Sequence, residues 1–303
     1  MGKTLIVLNP HAAGGAAGRV WHELEPLLWE LLGDLVIAVT QHPQEVAAHL
    51  EHAYEAGLTR VISIGGDGTN HALINELVTI NEQRPDRPPM VYGNLPIGTG
   101  SDWARGVGAT FGSLRATAQW IANAEPHRTD IGLLEYPGGK HYFLNIASAG
   151  IGGDVAQRVN RARRRRTWTF LQATISSILA HQPQHVQIRL DGRDWYEGGA
   201  YVVAVANGTT FGHGMKIAPD AQLADGLFDV VLIEAIARLR VLAALRRVYD
   251  GSHLTHPNVR TARARQIAIQ APAGPLGLEL DGEYASGQSL TFTVRPGLLP
   301  ILY

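Results

Sequence analysis

A carboxylate stands among glycines at the point where a buried strand is predicted to end. The segment Gly65-Gly66-Asp67-Gly68-Thr69 directly follows the apolar run of residues 61–64. Glycines let the backbone approach an anion closely and turn through positive φ, and a helix that begins near Thr69 would direct its first N–H groups at the same point. Because Asp67 would repel a bare phosphate, a cation is expected between the two. The segment therefore predicts a phosphate site with a metal-directing acid, and a turn in which Asp67 caps the helix is the alternative.

Length and composition fit a globular chain of two domains. The 303 residues are 45% hydrophobic and 17% charged, and single cores stop growing near ~250–300 residues. No stretch reaches the ~18 consecutive apolar residues of a membrane span, and the first residues lack the cleavage pattern of a signal peptide, so a cytoplasmic location is expected. The absence of cysteine excludes disulfides and thiol chemistry. A net charge of -1 argues against general nucleic-acid binding.

The first 125 residues alternate between apolar runs and amphipathic segments, which is typical of a parallel α/β sheet. The expected strands are residues 5–8, 35–39, 61–64 and 91–95, and the expected helices are residues 20–32, 44–56, 71–78 and 113–124. Functional loops of such sheets lie at the carboxyl ends of the strands. Polar or glycine-bearing segments follow all of these strands, at residues 9–18, Thr40, 65–70 and 98–102.

Residues 126–295 change to short apolar runs with hairpin signals, which predicts a second, β-rich domain. The expected strands are residues 133–136, 142–146, 186–190, 201–206, 228–233, 266–269, 278–280 and 290–294, and the expected helices are residues 155–166, 168–180 and 239–249. The apolar residues 296–303 are too hydrophobic for a free tail, so we expect them to return to the first domain.

Two further loops share the character of the first one. The loops are Asn9-Pro10-His11-Ala12-Ala13-Gly14-Gly15 and Pro96-Ile97-Gly98-Thr99-Gly100-Ser101-Asp102. Neither is a Walker loop, which would end in Gly-Lys-Ser/Thr. One such loop alone would indicate an ordinary capped helix, but three at one sheet edge indicate a nucleotide site.

The order and spacing of several motifs resemble the diacylglycerol kinase catalytic-domain family, which includes bacterial soluble lipid kinases, sphingosine kinases and ceramide kinases. The motifs are Asn9-Pro10 with its glycines, residues 65–69, Gly98-Thr99 with Asp102 and Arg105, Ile217-Ala218-Pro219-Asp220-Ala221, Asp225-Gly226 and Asp281-Gly282-Glu283. The resemblance implies an α/β domain related to those of phosphofructokinase and NAD kinase, a β-sandwich domain, and an active site in the cleft between them. It implies ATP-dependent phosphorylation of a lipid hydroxyl, of diacylglycerol or a related lipid.

The resemblance also implies roles for single residues. ATP would contact Asn9, Pro10, His11, Ala12, Ala13, Thr40, Gly65, Gly66, Asp67, Gly68, Thr69, Asn70, His71 and Thr99. Glu283 would be the general base that takes the proton of the acceptor hydroxyl. Asp281 would join Asp67 and Asp102 in holding the catalytic Mg²⁺ through waters. Taken alone, the segment of residues 281–283 is more typical of a plain β-turn.

A second, structural Mg²⁺ site is implied at Gln222, Asp225 and Leu227, with the carboxylate of Asp225 and two backbone carbonyls as ligands. A loop in which Asp225 caps local N–H groups is the alternative. The chain departs from the family pattern at Ser101, where Asn is usual, and at Ala12-Ala13, where Ser is frequent. Because Ser can still donate a hydrogen bond, we expect altered nucleotide affinity rather than an inactive site.

A basic cluster precedes an aromatic segment in the second domain. Its members are Arg158, Arg161, Arg163, Arg164, Arg165 and Arg166, and Trp168, Phe170 and Leu171 follow. This composition suits transient contact with an anionic membrane surface at the inner membrane face, and a solvated helix end is the alternative.

Two other functions stay open on the sequence. One is an NAD kinase-like enzyme, which would share residues 65–69. The other is a non-catalytic, nucleotide-responsive regulator that binds lipid. The sequence specifies neither the acceptor lipid nor the oligomeric state.

Overall fold

The computed structural model describes residues 3–97, 102–109, 112–161 and 167–303. The chain divides into two compact units. The N-terminal unit comprises Met1–Thr129 together with Gly297–Tyr303, and the C-terminal unit comprises Asp130–Pro296. No helix within the described ranges is both long and apolar enough to cross a bilayer.

The N-terminal unit is built on a parallel sheet. Its strands are β1 (Thr4–Leu8), β2 (Leu35–Val39), β3 (Arg60–Ile64) and β4 (Val91–Asn94), and its helices are α1 (Ala12–Leu32), α2 (Val46–Glu55), α3 (Asp67–Gln83), α4 (Asp102–Gly106) and α5 (Leu114–Asn123). The strand order is β4-β3-β1-β2, and each neighbouring pair is parallel. Because parallel strands end at the same edge, this order places the segments after β1, β3 and β4 side by side.

A hydrophobic cluster in this unit joins two of its helices to the sheet and to the end of the chain. Leu28 from α1, Ile62 from β3, Ile121 from α5 and Leu302 from the end of the chain are all buried in it. The last residues of the chain pair in parallel with β4. Gly297–Tyr303 therefore belong to this unit although they are far from it in sequence.

Helix α1 begins at Ala12, earlier than predicted. Gly14 and Gly15 lie near its start with φ of 65° and 84°, values that glycine adopts without steric cost. Ala17 is fully buried in the core, so core packing and good helix formers outweigh the glycines here. The glycine-bearing turn expected at residues 9–15 is therefore present, but it lies within the start of α1 rather than before the helix.

The C-terminal unit is a mostly antiparallel β structure with three described helices. Its strands, the first and last of which extend into the N-terminal unit, are β5 (Pro126–Tyr136), β6 (Gly139–Phe143), β7 (Ile146–Gly150), β8 (Gln184–Leu190), β9 (Arg193–Ala206), β10 (Phe228–Glu234), β11 (Val259–Ala264), β12 (Gln266–Gln270), β13 (Leu276–Leu280), β14 (Glu283–Gly287) and β15 (Ser289–Leu302). The helices are α6 (Ile151–Arg161), α7 (Thr167–Ala180) and α8 (Arg238–Asp250). Along the sheet the order is β14-β13-β7-β9-β8-β12-β15, with β10 paired to β9 and β11.

The second half of strand β9, residues 200–206, is the centre of this unit because both of its faces are buried. Val203 and Val205 lie in one hydrophobic cluster, and Ala204 and Ala206 lie in another. A strand buried on both faces appears in the sequence as a continuous apolar run. The α/β and β-rich architectures predicted from the sequence are confirmed, whereas β11 and β14 were not predicted and β7 is separate from the strand expected at residues 142–146.

Helix α6 packs against β13 through a glycine. A Cβ atom built on Gly153 would lie 2.3 Å from the carbonyl carbon of Gly277 and 2.5 Å from the backbone nitrogen of Leu278. Backbone atoms cannot move aside as a flexible side chain does, so we expect Gly153→Ala to lower the free energy of unfolding by about 1–3 kcal/mol.

Urea denaturation measures this loss. Arg158→Ala, at an exposed position of the same helix, is the control and should change the free energy of unfolding by less than about 0.5 kcal/mol. A Gly153→Ala protein as stable as the unsubstituted chain would show that α6 does not approach β13 this closely.

Candidate functional site

The loop after β1 and the glycine segment after β3 are joined by a side chain. Asn9 donates from Nδ2 to Oγ1 of Thr69 at 3.0 Å, and its backbone N–H donates to the carbonyl of Ile64 at 2.9 Å. The Oδ1 of Asn9 accepts from the backbone N–H of His11 at 3.0 Å. The structure thus brings together two of the three loops predicted to share a ligand.

Asn70 ties the first turn of α3 to two strands. Its Oδ1 accepts from the hydroxyl of Ser63 at 2.6 Å and from Nδ2 of Asn94 at 3.0 Å. Both donors are buried polar residues within apolar strands, and that contrast is the sequence signal that could have identified them. The carboxamide oxygen of Asn70 thus accepts hydrogen bonds from within the protein. The contact of Asn70 with ATP stays a prediction.

The glycine segment does not turn through positive φ, so that expectation is wrong. Gly66 is the N-cap of α3 with φ of -96° and ψ of -177°, and the helix begins at Asp67 rather than near Thr69. Since Gly66 is the N-cap, the alternative in which Asp67 caps the helix does not apply. Gly65 is required for space instead, because a Cβ there would lie 2.8 Å from Cβ of Thr69.

Gly66 presents an open backbone at the N-terminus of a long helix. A Cβ built there would meet no atom within 4 Å, and the first N–H groups of a 17-residue helix lie beside it. Exposed N–H groups and the helix dipole favour an anion at this point. This part of the chain therefore fits the phosphates of a nucleotide.

The other predicted nucleotide contacts take ordinary structural positions. His11 is the N-cap of α1, and Ala12 and Ala13 open that helix. Thr40 is buried after β2 and donates from its hydroxyl to the carbonyl of His42 at 2.8 Å. His71 lies within α3.

Several predicted residues have no described geometry. Thr99 and Ser101 lie outside the described residues, as do Arg163, Arg164, Arg165 and Arg166. Asp102 is the first residue of α4. The proposed membrane contact therefore has only the exposed Arg158 of α6 as a described side chain.

Strands β13 and β14 form a tight hairpin through Asp281 and Gly282. Their φ values are 48° and 92°, and Leu280 pairs directly with Glu283. Two-residue hairpin turns with positive φ at both positions favour the Asp-Gly sequence because their twist matches that of the strands. Glu283 is therefore held at the first position of β14.

The carboxylate of Asp281 accepts three backbone hydrogen bonds. Its Oδ2 accepts from Leu144 at 2.6 Å, and its Oδ1 accepts from Asn145 at 3.0 Å and from Ile146 at 3.1 Å. In a continuous strand these backbone N–H groups would donate to carbonyl groups of a neighbouring strand, but here they donate to Asp281. The strand expected at residues 142–146 is consequently interrupted between β6 and β7, which corrects that prediction.

Burial raises the pKa of Asp281 to about 6, although the backbone hydrogen bonds from Leu144, Ile146 and Asn145 act to lower it. A carboxylate has about four lone-pair positions, and three are used here. The geometry gives Asp281 a positioning role, and its proposed contact with Mg²⁺ through water stays a prediction.

A second hairpin uses the same arrangement. Asp191 and Gly192 join β8 to β9 with φ of 48° and 78°. The Oδ1 of Asp191 accepts from the backbone N–H groups of Arg265 at 3.0 Å and Gln266 at 2.9 Å. An Asp-Gly turn whose carboxylate holds neighbouring N–H groups is therefore a structural device that occurs twice in this unit.

Glu279 is a residue of this hairpin that the sequence reading missed. Its Oε1 accepts from the backbone N–H of Gly282 at 2.6 Å, and its Oε2 accepts from the hydroxyl of Ser148 at 3.1 Å. Asn160 of α6 donates to the carbonyl of Gly282 at 3.3 Å. The alternation of acids at residues 279, 281 and 283 is the signal that could have identified Glu279.

The predicted structural Mg²⁺ site disagrees with the geometry of its loop. The Oδ1 of Asp225 accepts from the backbone N–H of Leu227 at 3.0 Å, and Oδ2 is paired with Arg263. The Arg263 guanidinium thus lies at Oδ2, and a divalent cation would have to displace it from that oxygen. Within the described ranges, no group of three or more His, Asp or Glu is arranged to hold a metal ion. Gln222, Asp225 and Leu227 do not fit Mg²⁺ as they stand.

Family models match both parts of the chain. Residues 3–134 match the diacylglycerol kinase catalytic domain, and residues 145–303 match the YegS C-terminal NAD kinase beta sandwich-like domain. The resemblance predicted from the motifs is therefore confirmed.

Relatives of similar length cover nearly the whole chain. A protein of Mycobacterium tuberculosis named diacylglycerol kinase is 25% identical over 307 residues, which is 100% of this chain and 95% of the relative. A protein of Chromohalobacter salexigens named probable lipid kinase YegS-like is 27% identical over 308 residues, which is 98% of this chain and 92% of the relative.

Solved structures show the same fold. A diacylglycerol kinase from Bacillus anthracis has a TM-score of 0.71 at 20% identity and covers 99% of this chain and 96% of its own. An NAD kinase from Archaeoglobus fulgidus in complex with ATP has a TM-score of 0.51 at 13% identity and covers 99% of this chain and 92% of its own. The predicted fold class, an NAD kinase-like α/β domain with a β-sandwich-like domain, is confirmed.

Gly65 and Gly66 provide a matched pair of variants. We expect Gly66→Ala to cost about 1 kcal/mol of stability or less, since alanine is a poorer N-cap than glycine. It should weaken ATP binding by about 10-fold or more, because the methyl group would occupy phosphate space. Gly65→Ala should cost about 1–3 kcal/mol of stability through contact with Thr69. Urea denaturation and calorimetric titration with Mg·ATP measure both effects. Unchanged ATP affinity in a folded Gly66→Ala protein would place the nucleotide elsewhere.

Asp281 predicts a pH dependence of stability. Its pKa of about 6 in the folded chain lies above the ordinary value of 3.8, so between these values the folded chain binds more protons than the unfolded chain. The free energy of unfolding contributed by this group therefore falls as the pH rises from about 4 to 6, by on the order of 1–3 kcal/mol. We expect Asp281→Asn to remove this slope.

Urea denaturation at several pH values measures the slope. Asp191→Asn is the control, because it alters the equivalent hairpin and should leave the slope in place. Identical slopes in Asp281→Asn and the unsubstituted chain would show that Asp281 does not titrate in this range.

Proposed function

The chain belongs to the diacylglycerol kinase catalytic-domain family, and from that premise we propose that it transfers the γ-phosphoryl group of ATP to the hydroxyl of a lipid, diacylglycerol or a related lipid. The observation that carries this proposal is the open backbone of Gly66 at the start of α3, beside the Asn9–Thr69 hydrogen bond. Relatives named diacylglycerol kinase and lipid kinase support the reaction class.

The nucleotide is held by backbone groups of the N-terminal unit. In the proposal its phosphates lie at the N-terminus of α3, where N–H groups donate to phosphate oxygens. The hydrogen bond from Asn9 to Thr69 fixes the loop after β1 against that helix end. Asp67 opens α3 and Asp102 opens α4, so both acids begin helices that follow neighbouring strands.

Asp67 and Asp102 would hold Mg²⁺, which supplies charge neutralisation on the phosphates during transfer. Phosphoryl transfer needs little covalent help, so positioning and charge stabilisation carry most of the rate. Glu283 accepts the proton of the lipid hydroxyl as general base. Asp281 and Glu279 hold the turn before Glu283 through their backbone contacts, which fixes the position of that base.

The lipid acceptor also implies a surface partner. In the proposal the basic residues near the end of α6 attract the protein to an anionic membrane, where an apolar acceptor resides. Arg158 is exposed on that helix. The protein would then work in the cytoplasm as a peripheral enzyme.

The reaction is tested with purified protein, labelled ATP and Mg²⁺. The acceptor panel contains diacylglycerol, phosphatidylglycerol, a sphingoid base and NAD⁺. Labelled phospholipid is the expected product. Labelled NADP⁺ would establish the NAD kinase-like alternative instead, and ATP binding without any labelled product would establish the regulator.

Glu283→Gln separates binding from chemistry. We expect this variant to bind Mg·ATP normally but to turn over about 100-fold more slowly, because the amide keeps the shape of the side chain but cannot accept a proton. Asp67→Asn should instead weaken Mg·ATP binding. Calorimetry and the lipid assay on the same preparations measure the two effects.

Glu135→Gln, at an exposed position of β5, is the control for the loss of one carboxylate and should keep full turnover. Normal turnover in Glu283→Gln would remove Glu283 as the base and leave Asp281 as the candidate.

A further inference from the structure

The loop of residues 222–227 is fixed by contacts within the C-terminal unit. Asp130 donates from its backbone N–H to the carbonyl of Leu223 at 2.8 Å, and its Oδ2 accepts from the backbone N–H of Gly226 at 2.7 Å. Leu227 donates to Asp225, whose other oxygen is paired with Arg263. Each end of this loop therefore has a partner supplied by the chain itself.

Strand pairing determines where Arg263 lies. Asp229 of β10 is directly opposite Arg263 of β11 in the antiparallel register. The Nε of Arg263 is 3.6 Å from Oδ2 of Asp229, while Nη2 contacts Oδ2 of Asp225. One guanidinium thus lies between two carboxylates, as a divalent cation does in an oxygen-ligand site.

We propose that the guanidinium of Arg263 replaces a structural cation in this loop and, through Asp130 and Asn207, positions the hairpin that carries Glu283. Arginine suits this role because its charge is permanent and its planar fork can contact two carboxylates. The oxygen that a cation would otherwise bind, Oδ2 of Asp225, contacts the guanidinium instead. The proposal therefore predicts that the C-terminal unit folds without a bound metal.

A continuous series of hydrogen bonds links the loop to the hairpin. Asn207 is fully buried, and its Nδ2 donates to the carbonyls of Asp130 and Leu144, each at 2.8 Å. The N–H of Leu144 donates to Asp281 at 2.6 Å. Asp130 in turn binds the N–H of Gly226, the residue after Asp225 in the chain. The effect of Arg263 can therefore reach Asp281, two residues before Glu283.

Thermal unfolding in the absence of ATP and lipid tests the cation replacement. The unsubstituted chain should unfold at the same temperature in EDTA and in Mg²⁺. Arg263→Gln leaves Asp225 and Asp229 without their guanidinium, so it should unfold at a lower temperature in EDTA. Adding about 10 mM Mg²⁺ should then raise its unfolding temperature by about 2–4 °C, since a ligand that binds only the folded state stabilises it.

Matched variants separate this effect from the loss of any ion pair. Arg260→Gln removes an arginine from the same strand, where it pairs with Glu234, and should show no Mg²⁺ response. Arg263→Lys keeps a charge and should respond less than Arg263→Gln. NaCl at the ionic strength of the Mg²⁺ solution controls for screening.

The outcomes decide the proposal directly. If the unsubstituted chain and Asp67→Asn lose the same stability in EDTA, a metal binds outside the proposed catalytic site, and this result would overturn the cation replacement. A destabilised Arg263→Gln protein that does not respond to Mg²⁺ would overturn the cation replacement. An Arg263→Gln protein as stable as the unsubstituted chain would show that Arg263 does not hold the loop.

The effect on the hairpin rests on the proposed function and is measured separately. Arg263→Gln should lower kcat by about 10-fold or more with an unchanged KM for ATP, because a misplaced base costs rate and not nucleotide binding, and Mg²⁺ above the amount that ATP requires should restore part of kcat. Unchanged kcat in Arg263→Gln would overturn the positioning role. If the unsubstituted chain phosphorylates no lipid, the proposed function fails, while the unfolding result on Arg263 still stands.

Discussion

Three backbone N–H groups converge on the carboxylate of Asp281, and the arrangement of the C-terminal unit around its acidic hairpin depends on that contact. Backbone donors that are buried must find acceptors, since an unpaired one costs about as much as a lost hydrogen bond. Asp281 supplies these acceptors from the hairpin turn, so the chain can leave β6 and begin β7 without unpaired donors. The same three hydrogen bonds therefore cause the break between those strands and fix the position of the turn.

The Asp191 turn has the same chemistry as the Asp281 turn, and comparing them separates the contacts that both turns make from those that only one makes. Both turns have Asp-Gly at positive φ, and both carboxylates accept backbone N–H groups. Each turn also has contacts of its own. At the Asp191 turn, Arg189 donates to the carbonyl of Gly192. At the Asp281 turn, the N–H of Gly282 donates to Glu279 and Asn160 donates to the carbonyl of Gly282. The carboxylate of Asp281 accepts three backbone N–H groups, whereas that of Asp191 accepts two. The Asp281 turn is therefore the more strongly held of the two, and buried polar networks favour a single arrangement when they are fully satisfied.

Local patterns in the sequence predicted most elements, and contacts between distant residues account for the remainder. Hydrophobic periodicity placed the four parallel strands and the long helices, because each pattern lies within one segment. The strand break after Phe143 depends on the carboxylate of Asp281, which is more than 130 residues away in the sequence. Ser63 and Asn94, from different strands, are linked because both donate to Asn70. The motifs located the candidate site, but they did not show which glycines need space, which need positive φ, or that Asp225 pairs with an arginine.

The contacts of the acids also assign different roles to neighbouring carboxylates. A raised pKa near 6 would favour Asp281 as a base, since proton transfer is most efficient when the pKa lies near the working pH. Its oxygens, however, accept three N–H groups that hold the strand break, and moving toward a substrate would leave those donors unpaired. The interaction that orders the hairpin thus opposes movement of Asp281 and favours Glu283, at the start of the following strand, as the residue that takes the proton.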